Sequence, residues 1–116
     1  MPKSDAEPHF SDAELTPPAA VAKAAAKGLE LRERFHKGGT EVGEHRAEGL
    51  WDRTPIRPDE IGSIYSYFQR HDVDHRPNWD DPENPTPGYV AWLLWGGDEG
   101  RAWITQLHDK LIRARG

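Results

Sequence analysis

Six residues with acid, base or metal-ligating side chains, His71, Asp72, Asp74, His75, Asp80 and Asp81, fall within eleven consecutive positions. Imidazole and carboxylate groups at this density form the donor set of a divalent-metal site or of a general acid/base pair. Metal-dependent hydrolysis at residues 71–81 is therefore one reading. The spacing fits no zinc motif, however, and Asp72 and Asp74 lack the glycine and the bidentate glutamate of an EF-hand calcium loop. The alternative is structural: His71 and the aspartates close a helix and hold the following loop through side-chain hydrogen bonds. On that reading no metal and no cofactor is expected, and His71, Asp74 and His75 remain only as residual ligand candidates. Serine, histidine and aspartate are all present, yet no strand-turn-helix nucleophile elbow frames them, and no catalytic residue is assigned.

Two glycine pairs precede helices, Gly38-Gly39-Thr40 and Gly96-Gly97-Asp98. Backbone amides at a helix start can hold phosphate, but neither stretch has the lysine or the glycine spacing of a nucleotide-binding loop. Each is better explained as a helix stop followed by the next helix's cap. A basic stripe is the other candidate for a polyanion. Lys23, Lys27, Arg34 and Lys37 lie at offsets of four, eleven and fourteen residues and could track a DNA backbone, with Thr40 at the helix start beyond them. Glu30 and Glu33 interrupt that stripe, as on an ordinary solvated face with mixed ion pairs. Trp92, Trp95 and Trp103 could stack on bases, but among Val90, Leu93, Leu94 and Ile104 they read as core. Trp79 is isolated among acids. With Asp80 and Asp81 it is expected to project toward solvent as an anchor for a partner protein.

These residues need elements to place them. Residues 1–15 have the composition of a disordered acidic tail, with Phe10 and Leu15 as the only anchors. Thr16-Pro17-Pro18 then reads as a helix start, and Val21, Ala24, Ala25, Gly28, Leu31 and Phe35 recur at helical spacing until Gly38-Gly39. Thr40 caps a second helix running to about Trp51. Pro58 opens a third, with Ile61, Ile64, Tyr65 and Phe68 as its apolar stripe and Ile56 placed to staple onto Ile61. Residues 72–87 contain four prolines and form a long acidic loop, expected to be partly ordered by the helix ends that flank it. Thr86-Pro87 starts a fourth helix whose residues 89–95 are apolar on every side and must be buried all round. Asp98 caps a fifth, which runs to about Ala114. The expected fold is a single all-α domain of about five helices over residues 16–116.

Composition narrows the function classes. The chain has 116 residues, 35% of them hydrophobic, and no cysteine, which removes disulfides, thiolate nucleophiles and iron–sulfur clusters. No apolar run approaches the roughly 20 residues that cross a bilayer, and the start lacks the features of a secretion signal. A cytoplasmic or particle-borne protein with no membrane partner is expected. The net charge of −5 is uneven: residues 1–16 carry −3, residues 72–87 carry −4, and the remainder sums to +2. A nearly neutral folded body does not by itself exclude nucleic acid.

Three motifs taken in order carry a family resemblance. Ala25-Ala26-Lys27-Gly28-Leu29-Glu30-Leu31-Arg32, with Phe35, Gly38-Gly39-Thr40, Val42-Gly43 and Arg46-Ala47, is the first. Ser66-Tyr67-Phe68-Gln69-Arg70-His71-Asp72-Val73-Asp74 is the second, and Trp92-Leu93-Leu94-Trp95-Gly96-Gly97-Asp98 the third. Over roughly residues 17–104 the chain resembles a short helical domain of tailed-bacteriophage proteins, found alone or within head-morphogenesis and virion proteins. It departs from that pattern at Arg57, where a serine is usual, and in being more acidic than many members. The resemblance implies phage or prophage origin and a non-catalytic binding module, docking onto a phage or host protein during virion or head assembly. A DNA-associated protein using Lys23, Lys27, Arg34 and Lys37 is the alternative.

Overall fold

The computed structural model describes residues 9–115, and every regular element in them is helical. Order begins upstream of the expected start. Ser11 Oγ accepts a hydrogen bond from the Glu14 amide at 3.1 Å, and Glu14 Oε1 accepts from the Ser11 amide at 2.9 Å. This reciprocal capping box opens a one-turn helix, α1 (Asp12–Leu15), which places Phe10 and Leu15 in the core. The expected disordered tail is thus corrected over residues 9–15, while residues 1–8 lie outside those described. Thr16, expected to cap the next helix, instead ends α1, its hydroxyl donating to the Asp12 carbonyl at 2.7 Å.

Five longer helices follow: α2 (Ala19–Phe35), α3 (Glu41–Trp51), α4 (Ile61–His71), α5 (Pro87–Leu94) and α6 (Gly97–Arg115). The expected caps of α3 and α5 form, since Thr40 Oγ1 accepts from Gly43 N at 3.2 Å and Thr86 Oγ1 from Tyr89 N at 3.1 Å. Pro58 opens a 3-10 turn, Pro58–Glu60, before the α-helical register begins at Ile61. Gly96 and Gly97 adopt φ of 115° and 68°, a left-handed region that glycine enters without a Cβ penalty, and the chain reverses between α5 and α6. Asp98 does not cap α6. Its carboxylate accepts the indole N–H of Trp92 at 2.9 Å instead.

The short α5 is the hub, as its all-round apolar sequence requires. Trp92 packs with Ile61, Ile64, Phe68 and Ile104; Leu94 joins Val21, Ala25, Ala47 and Leu50; and Val90 and Leu93 meet Ala24 and Leu31. Close approach of α2 is made possible by Gly28, where a Cβ would stand 2.7 Å from the Leu94 backbone nitrogen.

The acidic loop is held by its own turns rather than only by the helices beside it. Trp79 N donates to Arg76 O at 3.1 Å, Asp81 N to Asn78 O at 3.2 Å, and Thr86 N closes back on Trp79 O at 2.9 Å. Asn78 takes a left-handed φ of 65° and turns the chain inward. Trp79 is consequently 6% exposed, its ring 5.7 Å from Trp92 and 5.3 Å from Tyr89. The expectation that Trp79 projects toward solvent is overturned. The closed turn brings the indole to α5, where burying its apolar area outweighs any exposed role.

Candidate functional site

Spacing of three and four residues puts Ala20, Lys23, Ala24 and Lys27 on one face of α2, where they line an open groove of about 580 Å³. The opposite wall carries Asp80 from the loop and Asp98 and Glu99 from the first turn of α6, and Trp79, Tyr89 and Trp92 back it. The same helix face continues through Glu30, Leu31 and Arg34, which line a smaller hollow of about 220 Å³ opposite Asp80, Asp81 and Pro82. Lys27, Asp80 and Tyr89 belong to both hollows. Lys27 Nζ stands 5.8 Å from the Tyr89 ring centroid, so this cation–π contact is the ridge dividing one trough into two.

The basic stripe and the acidic loop, rival sites in the sequence, are therefore the two walls of a single feature. Lys23, Lys27, Arg34, Asp80 and Asp81 are exposed. Among the described residues none of them takes part in an ion pair. Lys37 does not share that availability, because its ammonium donates to Asn84 Oδ1 at 2.7 Å and ties the end of α2 to the loop. Thr40 is used as the cap of α3. Tyr89, Asp98 and Glu99 were missing from the sequence reading of the site. The Ala20-Lys23-Ala24-Lys27 alternation was a legible sign of a helix face left low between two charges.

The metal-ligand candidates have other occupations. His71 Nδ1 pairs with Asp74 Oδ2 at 2.9 Å, and the His71 ring lies 4.5 Å from Tyr67. Tyr67 stacks on Trp95 at 4.4 Å, and the Arg46 guanidinium sits 5.5 Å over Trp95. This ladder runs from α3 to the start of the loop. His75 stacks on Trp79 at 4.1 Å. Among the described residues no group of three or more His, Cys, Asp or Glu is arranged to hold a metal ion.

The displaced pKa values lie away from the trough. Burial, and secondarily the nearby Asp74 charge, pushes the Tyr67 phenol up, and its buried hydroxyl has no hydrogen-bond partner. The Lys110 ammonium, bonded to both Glu14 carboxylate oxygens, and the Ser11 amide hold Glu14 down at about 2. Burial pushes Glu60 up, but the Arg57 amide and the Arg46 guanidinium together bring it below the usual carboxylate range. The two carboxylate shifts are explained by contacts that hold elements together, and the Tyr67 shift by burial.

A second open cleft, about 670 Å³, lies between the end of α2 and α3. Its principal cation is already engaged: Arg32 pairs with Glu44 at 3.2 Å and donates through Nε to Gly38 O at 3.0 Å. The trough beside Tyr89 therefore has the more available charge. Compared with protein-family models, curated proteins and solved structures, the chain gives no match.

Proposed function

We propose that this chain is a non-catalytic binding module that holds a protein partner in the trough between α2 and the 75–85 loop. The observation that carries this reading is the pair of facing walls, with Lys23, Lys27 and Arg34 on one side and Asp80 and Asp81 on the other, unpaired with one another. DNA would gain from the lysines but would bring its phosphates against the carboxylates across the trough. A polypeptide can present both signs of charge. The resemblance to a tailed-phage helical domain supplies the setting: a virion or head-assembly protein, or a host protein met in the cytoplasm, is the partner.

The test is site-specific photocrosslinking in cells carrying the phage. A crosslinker at position 23 or 80 is expected to capture one discrete protein, whereas the same group at Arg113 on α6 captures none. Lys27→Glu combined with Arg34→Glu is expected to remove the product. Recovery of DNA instead, lost steeply with salt in the manner of counterion release, would favour the DNA-associated alternative.

A further inference from the structure

We propose that the trough takes an extended peptide segment of about six residues whose alternate side chains carry opposite charge; this rests on the binding reading above. The length follows from α2. From Ala20 to Arg34 the lining face spans fourteen residue steps, or roughly 21 Å at the helical rise, and an extended chain covers that in about six residues.

The charge pattern follows from the walls. Successive side chains of an extended chain point to opposite sides. A segment laid along the trough therefore sends one parity toward Lys23, Lys27 and Arg34 and the other toward Asp80, Asp81 and Glu99. Acids at the first parity and bases at the second match the prevailing sign of both walls, Glu30 between Lys27 and Arg34 being the one acid on the first, whereas a block of acids followed by a block of bases leaves half of each wall facing its own sign. The segment crosses the ridge by lifting Lys27 from Tyr89, a contact 5.8 Å long with no ion pair behind it among the described residues. Lys27 is then free to meet an acid of the segment.

Two synthetic peptides of equal composition, capped at both ends, test this: Glu-Lys-Glu-Lys-Glu-Lys and Glu-Glu-Glu-Lys-Lys-Lys, titrated into the isotope-labelled full chain by NMR. The alternating peptide is expected to shift amides of residues 20–34 and 75–89 and to bind roughly tenfold tighter than the block peptide, since several exposed ion pairs each contribute a modest factor. Lys23→Glu with Arg34→Glu on one wall, and Asp80→Lys on the other, should each remove that advantage; these exposed sites leave the fold intact by circular dichroism. Equal binding of the two peptides, shifts confined elsewhere, or no binding overturns the proposal. If the crosslinkers at positions 23 and 80 still capture a protein while the alternating peptide shows no advantage, the binding reading stands and only the extended alternating occupant falls.

Discussion

The segment 9–15 and the loop 72–86 are both acidic, and both are held down, but by different means. The N-terminal segment places Phe10 and Leu15 in the core and is secured at the surface by Lys110, which reaches His9 O at 2.8 Å and both Glu14 oxygens. Trp103 Nε1 adds a hydrogen bond to Glu14 O at 3.2 Å. The loop is fixed by Trp79, by the fully buried Pro85 and by the Thr86–Trp79 backbone bond. Both use charge as well as burial, but the loop's ion pair, Arg101 with Asp72 at 2.8 Å, sits at its first residue, and the body of the loop rests on burial. Low charge density is therefore not needed for order: local turns that point an aromatic inward can hold an acidic segment together with a few further contacts.

Removing the loop's anchor gives the largest effect that this contrast predicts. Trp79→Ala takes out a buried indole that touches Trp92, Tyr89 and His75, and the expected loss is about 3–5 kcal/mol in urea unfolding. Because Trp79 also backs the trough, binding there should weaken in the same variant. A loss below about 1 kcal/mol would show that the loop's turns stand without the ring.

Phe10→Ala should cost less although Phe10 is also buried. Segment 9–15 precedes the first long helix and joins the body through a few contacts, so its loss is limited by the local free energy of docking rather than by the global one. Hydrogen exchange is expected to rise at residues 11–16 while the amides of α4 and α5 stay protected. Global loss of protection would put Phe10 on the same footing as Trp79.

Acid should separate the two regions without any mutation. Glu14 has a folded pKa of about 2 against an ordinary 4.5. Its depressed value means that the Lys110 contact contributes fully above about pH 4.5 and is lost as the pH falls toward 2. Across that window the fluorescence of Trp103, bonded to Glu14 O, should change before the loop amides do. Glu14→Gln should abolish the early transition, and a transition that persists in that variant would assign it to another carboxylate.

Much of the fold was legible because helix signals are local. Thr40, Thr86 and the glycine pair at 96–97 mark boundaries that the structure keeps, and the all-round apolar run 89–95 marked the buried hub. The capping box Ser11-Asp12-Ala13-Glu14 was equally legible, but the acidic composition of residues 1–15 obscured it. Trp79 was misread for a different reason. Its burial depends on Asn78 in a left-handed turn and on the distance from the loop to α5, neither of which is a property of neighbouring residue types. The trough was half visible: each wall could be read along the chain, but their facing is a tertiary fact.

The smallest predicted effect lies at the loop's tip, where Lys37 Nζ meets Asn84 Oδ1 at 2.7 Å. Asn84 is exposed and Lys37 half-buried, so water replaces the bond at little cost, and Asn84→Ala should lower stability by only about 0.5 kcal/mol. For a domain of this size that is a Tm decrease of about 2 °C. The backbone bond from Thr86 to Trp79 lies inside this tip and needs neither side chain, so the indole should stay buried and its fluorescence unchanged. A decrease comparable with that of Trp79→Ala would reverse the contrast between the two segments, because the loop would then depend, as the N-terminal segment does in part, on a lysine at the surface.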